Sequence, residues 1–147
     1  MINLTHKIVS TETELESFRE GAKNASLPYQ DLNYNSQVLI SYYENGEMIG
    51  TGGLEILERF ALLRSVSVSP THRSQNVGRQ ITSDIVKKAK DNNLEALYLL
   101  TETAKDFFQK LGFETVNREH VPDEIKSTTE FVQVCPASAD CMVLKLK

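Results

Sequence analysis

"SVSVSPTHRSQNVGRQI", Ser65 to Ile81, decides how this chain is read. An alternating apolar run stops at Pro70. A polar loop with Arg73 and Arg79 follows, and a helical pattern then begins. Positive charge, small polar residues and one glycine at a strand-to-helix corner suit an anion. A helix N-terminus exposes unpaired N–H groups and carries partial positive charge. Gly78 permits close backbone approach, and the two arginines supply charge-assisted hydrogen bonds. The same composition also fits a plain crossover loop with solvated arginines.

The chain around this corner reads as mixed α/β. Upstream, "QVLISYYENGEMIGTGGLEIL" (37–57) holds Asn45-Gly46 between two apolar runs, the signal of a tight hairpin. Its second arm carries Gly50, Gly52 and Gly53, which mark a bulge or a close approach by a ligand or another backbone. A turn near Glu58-Arg59 leads into the strand "FALLRSVSVS" (60–69). Strict alternation there puts Leu63, Ser65 and Ser67 on one face and Arg64, Val66 and Val68 on the other. Before the hairpin, "HKIVS" (6–10) reads as a strand and "TETELESFREGAKNA" (11–25) as a helix. Thr11 and Glu14 fit a capping box, and Leu15, Phe18 and Ala22 share one face. "SLPYQDLNYNS" (26–36) reads as an irregular loop.

Downstream, Val77, Ile81, Ile85 and Ala89 recur at helical spacing, with Lys87, Lys88 and Lys90 near the C-terminal end. "EALYLL" (95–100) reads as a buried strand. "TAKDFFQKLG" (103–112) reads as a short helix stopped by Gly112. "FETVNRE" (113–119) starts a strand, "VPDEIKSTTEFVQV" (121–134) reads as a helix, and "DCMVLKLK" (140–147) as a last strand. An antiparallel meander followed by βαβ units predicts a mixed sheet flanked by helices.

With 147 residues, the chain is expected to form a single domain over 1–147. A net charge of -4 argues against nucleic acid as the main partner. No apolar run reaches the ~20 residues of a membrane span. "MINLTHKIVS" has no secretory pattern, and Cys135 and Cys141 make no disulfide framework, so a cytoplasmic location is expected. His6, His72 and His120 show no metal-ligand spacing, and no metal is expected. A homodimer is compatible with this reading.

The stretch Val66–Ile81, with "ALYLL" (96–100) and "FFQKLGFE" (107–114), resembles the GNAT superfamily of acetyl-CoA-dependent N-acetyltransferases. Its coenzyme loop runs Arg or Gln, two residues, Gly, one residue, Gly or Ala. Arg73 opens that pattern here, Asn76 stands at the first glycine position and Gly78 at the second. Asn tolerates left-handed backbone better than most residues. The resemblance covers most of the chain and implies a GNAT acyltransferase fold. It implies that the loop of Arg73, Ser74, Gln75, Asn76, Val77, Gly78 and Arg79 holds the coenzyme pyrophosphate. Backbone groups at Val66 and Val68 would bond the pantetheine arm, with Thr101 and Phe108 along its far side.

The implied reaction is direct attack of a neutral amine on the thioester carbonyl. A backbone N–H near Val66 or Val68 is the expected oxyanion donor. Glu55 is the expected proton acceptor; its other reading is an exposed strand glutamate. The superfamily often protonates the thiolate with a tyrosine where this chain has Phe108. Tyr98, Thr103 or water could serve instead, the step could need no acid, or the chain could bind coenzyme without turnover. Arg64 reads either as a clamp for a substrate carboxylate or as an internal partner of Glu55.

"GGLEIL" (52–57), "LLRSVSV" (62–68), "LYLLTETAKDFFQKLGF" (97–113) and "CPASADCM" (135–142) are similar to a GNAT subgroup of arsenic-resistance N-acetyltransferases. That similarity implies a small amine acceptor, an amino acid or a toxic glutamate-like analogue. Three other readings stand beside it. They are protein or peptide acetylation, a non-catalytic coenzyme-binding module, and metalloid binding by the soft thiolates of Cys135 and Cys141.

Overall fold

The computed structural model describes residues 4–73, 75–129, 131 and 139–147. Two predicted site residues, Ser74 and Cys135, lie outside the described residues.

A hairpin sets the frame. Asn45 and Gly46 both have positive φ, 52° and 82°, the backbone that a two-residue turn between twisted strands requires. This turn joins β2 (Gln37–Glu44) to β3 (Glu47–Leu57), and β4 (Phe60–Val68) returns beside β3. The first strand, β1 (Leu4–Ile8), pairs antiparallel with β2 from Leu4↔Glu44 to Ile8↔Ile40. It ends earlier than the sequence suggests, because Ser10 and Thr11 serve the cap of α1 (Glu12–Asn24). Thr11 Oγ1 accepts from Glu14 N at 3.2 Å. The return bond of the capping box shifts by one residue: Ser10 N donates to Glu14 Oε1 at 2.9 Å. At the other end, Ser26 adopts φ 60° and Leu27 N donates to Ala22 O at 2.9 Å, which closes the last carbonyls of the helix.

After β4 come a short 3-10 turn (Pro70–His72), α2 (Val77–Asp91) and β5 (Ala96–Thr101). Then follow α3 (Lys105–Lys110), β6 (Glu114–Thr115), α4 (Asp123–Lys126) and β7 (Asp140–Lys145). The sheet order is β1-β2-β3-β4-β5-β7-β6. Among the described residues only β4 and β5 pair in parallel; β5–β7 and β6–β7 are antiparallel. This is the mixed α/β sheet flanked by helices that the sequence predicts. β6 is shorter than predicted because Asn117 turns the chain, its Oδ1 accepting from Glu119 N at 2.9 Å. The helix predicted over 121–134 is cut short: α4 ends at Lys126, where Ser127 caps it and Thr128 N turns back to Ile125 O at 3.1 Å, and residues 130 and 132–134 lie outside the described residues.

The glycines of β3 receive a helix. A Cβ at Gly50 would lie 2.8 Å from Ile81 Cδ1, and one at Gly52 2.7 Å from Ile81 Cγ2. α2 therefore seats Ile81 in a notch that only glycine leaves open. Ile81 and Ile85 are fully buried against Leu54, Leu63 and Leu97. Burial of each side chain contributes about 1.5–3 kcal/mol. On the opposite face of the sheet, Phe18 and Ala22 of α1 pack with Val9, Leu32 and Leu39. Beside them, Leu62, Tyr98, Ile125 and Cys141 form a third cluster.

The alternation read along β4 fails at Ser65. The register steps from Gly53↔Arg64 to Thr51↔Ser67, so β4 carries one residue more than β3. Ser65 takes that place with φ 59°. The extra residue shifts the phase. Leu63, Val66 and Val68 pack towards α2, while Arg64 turns to the α1 side. Arg64 therefore does not share a face with Val66 and Val68, and Leu63 does not share one with Ser67. Thr51 Oγ1 supports the bulge, donating to Ser65 O at 2.7 Å and lying 2.5 Å from Ser67 Oγ.

Candidate functional site

The bulge has a second effect. β4 pairs with β5 only from Phe60↔Ala96 to Leu62↔Tyr98. Residues 63–68 lie beyond that register, and a cavity of about 1070 Å³ opens between the strands. One wall is 63–68 of β4 with Arg73, Asn76, Gly78 and Arg79. The other is 99–104 with Phe107 and Phe108. Lys23 and residues 25–30, after α1, close one end.

At the opposite end stands the N-terminus of α2. Asn76 caps it with φ 61° and ψ 19°, the left-handed geometry anticipated for this position. The first-turn N–H groups of Val77, Gly78 and Arg79 have no carbonyl one turn back. Arg73 Nε donates to Val68 O at 3.2 Å, so its guanidinium lies at the mouth of the cavity. His72 steadies the corner: its Nε2 lies 3.0 Å from Glu44 Oε1 and its Nδ1 2.9 Å from Thr71 Oγ1. A Cβ at Gly78 would lie 3.4 Å from Phe107 Cζ and 3.5 Å from Val68 Cγ2.

Most of the predicted residues meet here. Val66, Val68, Arg73, Asn76, Gly78, Arg79, Thr101, Phe108 and Arg64 all line the cavity. Gln75 is exposed beside it, and the Val77 side chain is buried in the core. Thr101 Oγ1 accepts from Ala104 N at 3.0 Å and shapes the entry to α3. Phe108 stacks edge-on with Phe107 and Phe113, at centroid distances of 5.0 and 5.6 Å.

Glu55 lies elsewhere. It is not among the lining residues, and its Oε1 accepts from Arg64 Nη1 at 3.2 Å. Burial pushes its carboxyl above the usual range, against the opposing pull of Arg64. Arg64 has its main partner in Asp31, which sequence reasoning missed: two bonds of 2.6 Å join the fork to both carboxylate oxygens. Only the position of Asp31 in a turn-rich loop hinted at a role. Tyr98 packs on the third cluster, away from the cavity, and Thr103 lines it. Glu102, also unforeseen, is the only carboxylate among the described lining residues. Its place just beyond the C-terminal end of a strand beside a parallel neighbour was the available signal. Cys141 is buried, and burial pushes its thiol up to about 11. Among the described residues, no three His, Cys, Asp or Glu side chains are grouped to hold a metal, and no helix is long and apolar enough to cross a membrane.

The arrangement offers an anion seat, an apolar slot edged by unpaired strand backbone and a polar far end. The model of the acetyltransferase (GNAT) family matches residues 7–113. The uncharacterized protein YyaT of Bacillus subtilis is 29% identical over 98 residues, 66% of each chain. The amino-acid acetyltransferase of Mannheimia succiniciproducens is 34% identical over 67 residues, 46% of this chain and 15% of that protein. The chain thus spans about two thirds of the first relative and a small part of the second. The N-acetylglutamate synthase from Neisseria gonorrhoeae, solved with coenzyme A and N-acetyl-glutamate, superimposes with a TM-score of 0.80. That match has 13% identity and covers 100% of this chain and 36% of the synthase.

Proposed function

The chain belongs to the acetyltransferase (GNAT) family, and from that premise we propose that it transfers the acetyl group of acetyl-CoA to the amine of a small, amino-acid-like acceptor. The observation that carries the reading is the opening of β4 from β5 beside the N-terminus of α2. An extended pantetheine arm matches the open strand edge at 66–68. A pyrophosphate matches the anion seat formed by α2, Arg73 and Arg79. The thioester then lies near the bulge, and the acceptor sits against the end of the cavity lined by Lys23 and residues 25–30.

The acceptor nitrogen forms the new C–N bond, and the C–S electron pair leaves with sulfur. A backbone N–H near Val66 or Val68 holds the carbonyl oxygen as it gains charge. The proton lost by nitrogen goes to Glu102, which faces the cavity, and passes from Glu102 to the departing thiolate through Thr103 or water as a relay, so that each group ends as it began. Glu55 acts indirectly, by sharing the charge of Arg64. Arg64 in turn holds the acceptor wall through Asp31, and its fork, bonded to both Asp31 and Glu55, favours the internal-partner reading over a clamp for a substrate carboxylate.

The similarity to an amino-acid acetyltransferase and to a structure solved with N-acetyl-glutamate supports an amino acid or glutamate-like acceptor. Toxic glutamate analogues, as in arsenic resistance, enter the reading only through the sequence resemblance of 52–57, 62–68, 97–113 and 135–142. The test is acetyl-CoA binding by calorimetry, followed by thiol release with amino acids and glutamate analogues. Binding with release is expected. Binding without release from any acceptor would favour a coenzyme-binding module, and no binding would remove the reading altogether.

A further inference from the structure

Ser65 combines three features. It holds φ 59°, a conformation that is costly for a residue with a Cβ. It is 5% exposed, and its Oγ is buried without a hydrogen-bond partner among the described residues. It also lines the cavity between Arg64 and Val66, three residues beyond the last β4–β5 pair, Leu62↔Tyr98. Glycine would relieve both costs: it accepts positive φ and carries no hydroxyl to strand. The backbone carbonyl of Ser65 is already satisfied by Thr51, so the hydroxyl is not needed to build the bulge. A buried hydroxyl left unpaired by the protein, on a residue that lines the cleft, is brought to a ligand there by rotation about its Cα–Cβ bond.

We propose that the Ser65 hydroxyl is a substrate-positioning group: Oγ accepts a hydrogen bond from the acceptor N–H and aims the nitrogen lone pair at the thioester carbon. This rests on the acetyl-transfer reading above. No bond to Ser65 forms or breaks, and the amine proton follows the route already given. Orientation of this kind acts on the chemical step more than on coenzyme affinity.

The test compares wild type with Ser65→Gly and Ser65→Ala in three readouts: acetyl-CoA affinity by calorimetry, Tm, and kcat and KM for an acceptor that supports thiol release. Both variants are expected to keep coenzyme affinity within about twofold and to lose roughly tenfold or more in kcat. Ser65→Gly is expected to raise Tm by a few degrees (about 2–8 °C for domains of this size range) while it loses activity. A purely structural serine would not move stability and turnover in opposite directions. Wild-type kcat in both variants would overturn the proposal and leave the transferase reading intact. A fall in Tm that parallels the fall in kcat would also overturn it, by showing that the hydroxyl serves the fold. Absence of thiol release from wild type, despite acetyl-CoA binding, would overturn both readings together.

Discussion

Asp31 receives the buried guanidinium of Arg64 through both carboxylate oxygens, at 2.6 Å each. The two residues are 33 positions apart. Their bond ties the loop after α1, which closes one end of the cavity, to the strand that carries the bulge. Asp31→Ala leaves much of a buried charge uncompensated and is expected to cost about 3–5 kcal/mol. Urea unfolding measures the loss. A change below ~1 kcal/mol would show that Glu55 alone suffices for Arg64.

Gly78→Glu places a carboxylate where the anion seat requires neutrality, in space already touched by Phe107 and Val68. Acetyl-CoA binding is expected to vanish by calorimetry while the circular dichroism spectrum stays native. Unchanged affinity would remove the pyrophosphate from the α2 N-terminus.

Glu102→Gln keeps the size and polarity of the side chain but removes the only carboxylate among the described lining residues. Turnover is expected to fall on the order of a hundredfold, the scale of general-base catalysis, with coenzyme affinity unchanged. The parallel variant Glu55→Gln is expected to alter stability more than turnover. The reverse pattern would return the proton-acceptor role to Glu55.

Two glutamates give pH dependences of opposite sign. The hydrogen bond from Lys7, with help from Ser10 N, holds the Glu14 carboxyl down to about 2. Its contribution is present above the unfolded value of about 4.5 and is lost as pH falls towards 2. Burial raises Glu55, so its contribution is fully present below about 4.5 and is lost as pH rises through the raised value. Relative to wild type, Glu14→Gln is expected to lose stability at neutral pH and to converge with it near pH 2. Glu55→Gln is expected to flatten the decline on the other side. Tm measured across pH separates the two.

Local chemistry was legible in the sequence wherever a backbone need selects a residue type. Asn45-Gly46 announced the hairpin, Thr11 the start of α1, and Gly112, at φ 99°, the end of α3. The anion corner was visible for the same reason, since Gly78 and the flanking arginines answer a local demand. Ser65 was hidden because "RSVSV" alternates perfectly on paper. Nothing in a serine says that it will sit at positive φ, and one inserted residue reverses every face beyond it. Asp31 was hidden by distance, since a salt bridge across 33 positions leaves no periodic trace. The reach of Glu55 was misjudged for a related reason. Its pairing with Arg64 was one of the two readings of that arginine and is present at 3.2 Å; what could not be read was that this pairing leaves Glu55 off the cavity wall.

The parallel seam from Phe60↔Ala96 to Leu62↔Tyr98 is the narrow spine between two leaves of sheet, β1–β4 on one side and β5, β7 and β6 on the other. On the proposed function, an acetyl-CoA molecule laid along 66–68 would extend that spine with hydrogen bonds the chain does not supply itself. The protein is therefore expected to gain cohesion from its own feedstock, about 2.7 kcal/mol at a hundredfold excess over Kd. Its resistance to heat and proteolysis is then expected to rise with acetyl-CoA concentration.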